Sequence, residues 1–291
     1  MFAELSVRSA VKFPHGKELP VSSLPYRLCA IDLDDTLLGP DHAVSARNSA
    51  AVRAAVAKGV IVVIASGRMH EATLRFVEQM GLETPIISYN GAMVKNPHTG
   101  EVWLHERIAG EVAAQVMDYV CAANLQLNYY LDDHFYSAAY TSWAKLYHDR
   151  TQAPIEILPA LYDTLRGSSP TKMIIVDSKE RTDSLLLPFQ NRFGSGLYVT
   201  KSNDEYLEMM PPQANKGTAL ALVAAKFGIT AAQTIAFGDS YNDIPMLDWA
   251  GLSIAVGNAK PETKAAADRT IETNAEDGVG MALEQIFQLT A

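Results

Sequence analysis

Cysteine is nearly absent from this chain, with 2 in 291 residues. Two thiols cannot staple a fold of this length, so a disulfide-built secreted scaffold is excluded and a reducing, cytoplasmic setting is expected. Cys29 sits inside an apolar run, where a thiol packs as a small hydrophobe. No stretch approaches the roughly 18 apolar residues of a membrane span, and the opening segment lacks the continuous apolar core of a signal peptide. Positive charge is scarce as well. Lys and Arg total 24 against 33 Asp and Glu, a net charge of -9, and they form no cluster. A nucleic-acid surface needs such a cluster to hold phosphates, so neither a nucleic acid nor a membrane is an expected partner. His and Cys nowhere show metal-ligand spacing. Internal repeats and low-complexity tracts are missing too.

What is present suits a folded enzyme. Hydrophobic residues make up 48% and charged residues 20% of the chain, enough apolar matter for a sizeable core. The length favours two domains. An acidic protein can still hold a phosphorylated substrate if a cation and a few fixed positive groups neutralise it locally.

From Tyr26 onward, short apolar runs alternate with helical stretches. Leu28 to Leu33 reads as a buried strand that ends in Asp32, Asp34 and Asp35. Ser45 then caps a helix from Ala46 to Lys58 with Gly59 as its stop. Val60 to Ala65 is a second strand, ending at Ser66-Gly67-Arg68. A helix from Glu71 to Met80 stops at Gly81, and Pro85 to Ser88 begins another strand that runs into Asn90-Gly91. This order predicts a parallel, doubly wound sheet. The alternation resumes late, with helix Lys216 to Phe227, strand Thr234 to Phe237, helix Asp243 to Ala250 and strand Leu252 to Val256. A short helix, a strand and a terminal helix complete it. Between the two stretches the texture becomes aromatic and rich in turns, which marks a second, inserted domain. The expected division is an extension over 1–25, a core of 26–92 and 205–291, and an insert of 93–204.

Ligands of open parallel sheets gather beyond the carboxyl ends of the strands. Asp32 and Asp34, Ser66, Lys216, and Asp239 with Asn242 and Asp243 all fall at strand ends or helix starts. Singly, each has an ordinary reading: two acids in a solvated loop, a capping serine, a surface lysine, a plain turn. Jointly and in this order they describe one site. Two carboxylates two residues apart on an extended segment share a face and repel, and a bound cation relieves that. Mg²⁺, which favours oxygen ligands, is the expected cofactor.

Asp32-Leu33-Asp34-Asp35-Thr36-Leu37-Leu38, Ser66-Gly67-Arg68, Lys216-Gly217 and Gly238-Asp239-Ser240-Tyr241-Asn242-Asp243 resemble motifs I to IV of the haloacid dehalogenase-like superfamily. About thirty residues separate motifs I and II, too few for a cap domain, whereas the interval from Ser66 to Lys216 can hold one. With Ser88-Tyr89-Asn90-Gly91-Ala92, the chain resembles the Cof-type (IIB) phosphatases from about Tyr26 to its end. The resemblance implies an α/β fold with a doubly wound, Rossmann-like parallel-sheet core and an inserted α+β cap. It implies Asp32 as nucleophile, Asp34 as general acid and base, and Ser66 as donor to the phosphoryl group. Lys216 would hold both the nucleophile and the phosphoryl oxygens. Mg²⁺ would sit on the Asp32 and Asp239 carboxylates and the Asp34 carbonyl, with Asp243 behind them. The amides of Leu33 and Gly67, and Asn242, would touch phosphate. Two positions depart from the family pattern: Asp35 stands where Gly is usual, and Ser240 where Gly or Asn is common.

The implied activity is Mg²⁺-dependent hydrolysis of small phosphorylated metabolites, such as sugar phosphates or phosphorylated cofactors, through an aspartyl phosphate. A phosphotransferase or mutase on the same scaffold and a non-catalytic metabolite-binding regulator are the alternatives. A monomer or homodimer is expected. Tyr129, Tyr130, Asp132, His134 and Lys172 of the insert are weaker candidates, because aromatics on strands are usually packing; His70 and His148 are set aside likewise.

Overall fold

Runs of Leu, Ile, Val, Cys and Ala, each four residues long, build the first two strands, β1 (Leu28–Ile31) and β2 (Ile61–Ile64), which are buried at every position. β3 (Thr234–Gly238) and β4 (Leu252–Ala255) are equally buried, whereas β5 (Arg269–Thr270) is exposed. Strands covered on both faces read as continuous apolar runs without alternation. All five pair in parallel in the order β5-β4-β3-β1-β2, with Ile31 opposite both Phe237 and Ile64. Their carboxyl ends therefore leave the sheet at one edge. The expected α/β fold with a parallel-sheet core is the one observed.

This computed structural model describes residues 11–12, 18–19 and 24–289. The extension expected over 1–25 thus lies almost wholly outside the described residues, apart from an antiparallel pairing of Val11–Lys12 with Glu18–Leu19. Two units emerge, the first holding 24–65, 76–85 and 216–289 and the second Ser66–Arg75 and Ile86–Asn215. The second unit thereby takes in 66–75, 86–92 and 205–215 alongside the insert. Among the described residues no helix is long and apolar enough to cross a membrane.

In the first unit, α1 (Ala46–Ala57) starts where Ser45 Oγ accepts from Asn48 N at 3.0 Å. α2 (Lys216–Lys226), α3 (Ile244–Trp249), α4 (Pro261–Ala266) and α5 (Gly278–Phe287) follow the inserted chain. α1 is tied to α5 by Gly280 N donating to Asn48 Oδ1 at 2.8 Å and by an Arg47–Glu284 ion pair at 2.6 Å. Cys29 is buried within β1, and burial pushes its thiol pKa up, which keeps it inert.

One expectation is corrected. Ile86–Ser88, read as the third parallel strand, pairs antiparallel with Met93–Lys95, which in turn pairs with Val102–His105. The cause is local: Tyr89, Asn90 and Gly91 all take positive φ (51°, 55° and 95°), and this sharp turn folds the strand back into a hairpin.

The second unit also carries a six-stranded sheet, Ile155–Ile157, His134–Ser137, Gln126–Leu131, Lys172–Val176, Tyr206–Met210 and Tyr198–Asn203 in spatial order. Both of its faces are covered. Met173, Ile175 and Tyr129 pack with Val116, Phe189 and Leu207, while Ile174, Val176 and Tyr130 pack with Phe135, Tyr147 and Tyr206. Tyr129 and Tyr130 are thus core residues. Asp132 pairs at the surface with Arg107, and His134 with Glu156.

Candidate active site

Asp32 is the first residue beyond β1, where the chain is still extended (φ -67°, ψ 155°), and its amide donates to Phe237 O of β3 at 3.1 Å. The backbone then makes a wide turn, closed by Leu37 N to Asp32 O at 3.3 Å and Leu38 N to Leu33 O at 2.9 Å. Inside it Asp34 is extended and half-buried, and Asp35 is left-handed (φ 57°, ψ 7°). A side chain disfavours that conformation by about 1 to 2 kcal/mol. Asp35 therefore accepts the backbone that glycine usually supplies.

Lys216 opens α2 and is wholly buried. Its Nζ donates to Asp32 Oδ1 at 2.5 Å and to Asp243 Oδ1 at 2.6 Å. Gly217 is what allows this approach, because a Cβ there would meet Pro245 O of α3 at 2.3 Å. Asp243 is fully engaged. Its Oδ2 accepts from the amides of Asp239 and Ser240, each at 3.0 Å, and so ties down the turn after β3. Asp239, on that turn, accepts from Thr36 Oγ1 at 3.1 Å.

Lys216 thus pairs with two buried carboxylates, and the Asp239 carboxylate lies beside them. Burial raises the Asp32 pKa well above the aspartate range; Asp243 and Asp239 push it further, and Lys216 pulls the other way. Asp239 is raised from 3.8 to about 7, mainly by burial and then by Asp243. Burial disfavours the Lys216 charge, but Asp243 and Asp32 outweigh it and hold the pKa above the ordinary lysine value.

An oxygen of each of Asp32, Asp239 and Asp243 lies within 4.8 Å of the others. This donor set consists of hard oxygens without nitrogen or sulfur, which suits Mg²⁺. Asp243 is the least available of the three, since its oxygens already serve Lys216 and two amides. Asp32 and Asp239 are the members of this set better placed to hold a cation.

Ser66 and Gly67 belong to the second unit. Ser66 is buried; its amide donates to Ile87 O at 2.8 Å and its Oγ accepts from Arg68 N at 3.1 Å. Asn90 N donates to Ser66 O and Tyr89 N to Arg68 O, so the strained Tyr89-Asn90-Gly91 turn braces this loop. A Cβ at position 67 would lie 2.8 Å from Asn90 Oδ1, which explains the glycine. Lys172, a weaker candidate from the sequence, is buried against Glu208 at 2.9 Å and reaches Gly67 O at 3.4 Å. Asn242 occupies the turn after β3, beside Asp243.

Residues 29–283 match the haloacid dehalogenase-like hydrolase family. The chain belongs to that family. It is 31% identical over 257 residues to the 5-amino-6-(5-phospho-D-ribitylamino)uracil phosphatase YcsE of Bacillus subtilis, covering 88% of this chain and 94% of that one. Phosphatase YwpJ of the same organism is 29% identical over 298 residues, with coverage of 90% and 100%. The crystal structure of TM0651 from Thermotoga maritima is similar with a TM-score of 0.82 at 33% identity, covering 89% and 97%. This haloacid dehalogenase-like hydrolase is a phosphatase, a phosphoric monoester hydrolase.

Several residues of the hydrolase escape sequence reasoning. Thr36 gives no signal beyond its place in the first motif. Asp133 reads as a hairpin residue, yet its carboxylate accepts from the amides of His70 and Glu71, both at 3.0 Å, and from Tyr89 Oη at 2.8 Å. It thereby caps the helix Glu71–Met80 that follows Ser66-Gly67-Arg68.

Lys216 makes a direct prediction of stability. Lys216→Met removes the ammonium that pairs with Asp32 and Asp243 and leaves buried charge uncompensated, which typically destabilises by about 3 to 5 kcal/mol. Urea unfolding of the metal-free variant should show a loss of that order. A change below about 1 kcal/mol would mean that the carboxylates take up protons at no cost to the fold.

Proposed function

We propose that this phosphatase hydrolyses phosphate monoesters of small metabolites through an aspartyl phosphate on Asp32, with Mg²⁺ as cofactor. The observation that carries the reading is Asp32 at the open end of β1, ion-paired to the buried Lys216, with Asp34 two residues on. In the first step an Asp32 oxygen bonds to phosphorus as the ester P–O bond breaks, and Asp34 gives its proton to the departing alkoxide. In the second, Asp34 takes a proton from water, whose oxygen attacks phosphorus and releases Asp32 and inorganic phosphate. Lys216 orients the nucleophile and offsets charge on the phosphoryl oxygens. The resemblance of their motifs assigns further phosphate contacts to the Leu33 amide and Asn242 and, from the second unit's loop, to Ser66 and the Gly67 amide. Asp32, Asp239 and the Asp34 carbonyl would hold the cation, which when bound supplies charge compensation for the incoming dianion. Asp243 positions Lys216 and the Asp239 turn.

These groups engage only the phosphoryl end of a substrate. We assign recognition of the leaving group to the inserted segment 93–204, and the metabolite phosphatases among the relatives support a phosphorylated sugar or polyol as its object. Phosphate release from a panel of sugar phosphates, phosphorylated polyols and phosphorylated cofactors, with Mg²⁺, tests the reading. The best metabolite should exceed p-nitrophenyl phosphate in kcat/KM by tenfold or more, since a cap that reads its substrate adds transition-state binding. No phosphate released from any ester would overturn the assignment.

A further inference from the structure

Three asparagine side chains grip the turn that carries Asp34. Asn258 Nδ2 donates to Asp35 O at 2.7 Å, Asn48 Nδ2 to Leu37 O at 3.0 Å, and Asn274 Nδ2 to Leu38 O at 2.8 Å. Two of the amides are fixed in turn. Asn48 Oδ1 accepts from Gly280 N at 2.8 Å, and Asn258 Oδ1 from Asn274 N at 2.9 Å. The grip falls where the backbone supports itself least, since Asp35 is left-handed without being glycine. We propose that Asn258, with Asn274 behind it, is a positioning residue: it holds the Asp35 peptide, and through it the Asp34 carboxyl, in the arrangement that the two proton transfers use.

Burial separates the three roles. Asn48 and Asn274 are buried, so losing either amide strands a buried carbonyl and damages the fold. Asn258 is exposed, and water can replace its bond. Its removal therefore leaves the chain folded but frees the turn to leave the left-handed state, so the loss belongs in kcat. Glycine at position 35 adopts that state without strain. A chain with Gly there should hardly need Asn258.

The inference rests on Asp34 as the proton carrier, and the test separates the two ideas. Steady-state and rapid-quench kinetics on p-nitrophenyl phosphate with Mg²⁺ would compare wild type, Asn258→Ala, Asp35→Gly, the double variant and Asp34→Asn. Asn258→Ala should lower kcat about fivefold, the worth of one net hydrogen bond, with KM within twofold and more phosphate on the protein at steady state. In the Asp35→Gly background the same change should reduce kcat less than twofold. An equal loss in both backgrounds, an unchanged kcat, or a rise in KM alone overturns the positioning role. If Asp34→Asn turns over like wild type, it is the assignment of Asp34 that fails, whatever Asn258 shows.

Discussion

Asp32→Asn should abolish turnover and leave no phosphate on the protein, whereas Asp34→Asn should trap the phosphoenzyme. The difference follows from what each step asks of the two carboxylates. Without an oxygen nucleophile at position 32 no acyl phosphate forms, and Lys216 faces a neutral amide in place of its partner at 2.5 Å. Asparagine at 34 keeps the backbone carbonyl but cannot carry a proton. p-Nitrophenolate leaves with little protonation, so the first step survives, while activation of the hydrolytic water loses about 10²- to 10⁴-fold. Rapid-quench experiments should therefore show a burst of p-nitrophenol near one equivalent and an acid-stable label on the Asp34→Asn protein. A label on Asp32→Asn, with none on Asp34→Asn, would reverse the two assignments.

Removing divalent cations should stop phosphate release entirely, and the response of the fold to Mg²⁺ should depend strongly on pH. Asp239 in the folded, metal-free chain holds its proton up to about 7, against 3.8 ordinarily. A carboxylate whose pKa is raised on folding contributes stability below its unfolded value, and that contribution is lost as pH rises through the folded one. For Asp239 the window runs from about pH 4 to 7, and the loss amounts to about 4 kcal/mol. A cation competes with the proton for the same oxygens. Thermal unfolding should therefore show Mg²⁺ raising Tm by about 5 °C or more at pH 8, at a concentration far above its Kd, and by little at pH 5. An equal rise at both pH values, or undiminished phosphate release in excess EDTA, would count against a Mg²⁺ site on these aspartates.

The sheet was legible because its strands are buried on both faces, so Leu28 to Ile31 and Ile61 to Ile64 stand out as unbroken apolar runs. Lys216, Asp32, Asp239 and Asp243 were legible as neighbours because parallel strands deliver their ends to one edge, and the structure does bring them together. Illegible features share a different origin. The reversal after Ser88 depends on positive φ at Tyr89 and Asn90, which no propensity forecasts for a tyrosine. Asn258 and Asn274 act through backbone carbonyls far away in sequence, and an asparagine in a turn looks the same whether or not it reaches one. Asp133 is a turn residue by its conformation and a helix cap by its contacts.

The pairing of β1 with β3 sets Leu28 beside Thr234, about 200 residues later in the chain. A ribosome adding 5 to 20 residues per second needs about 10 to 40 s to cover that interval. Throughout it, the edge of β1 that awaits β3 has no native partner, and Asp32 lies at the end of a strand that lacks Lys216. An apolar edge left open for so long is the kind that recruits other chains. Nascent or C-terminally truncated forms should consequently rely on chaperones until the last quarter of the sequence emerges, and only then can Asp32 acquire its ammonium partner.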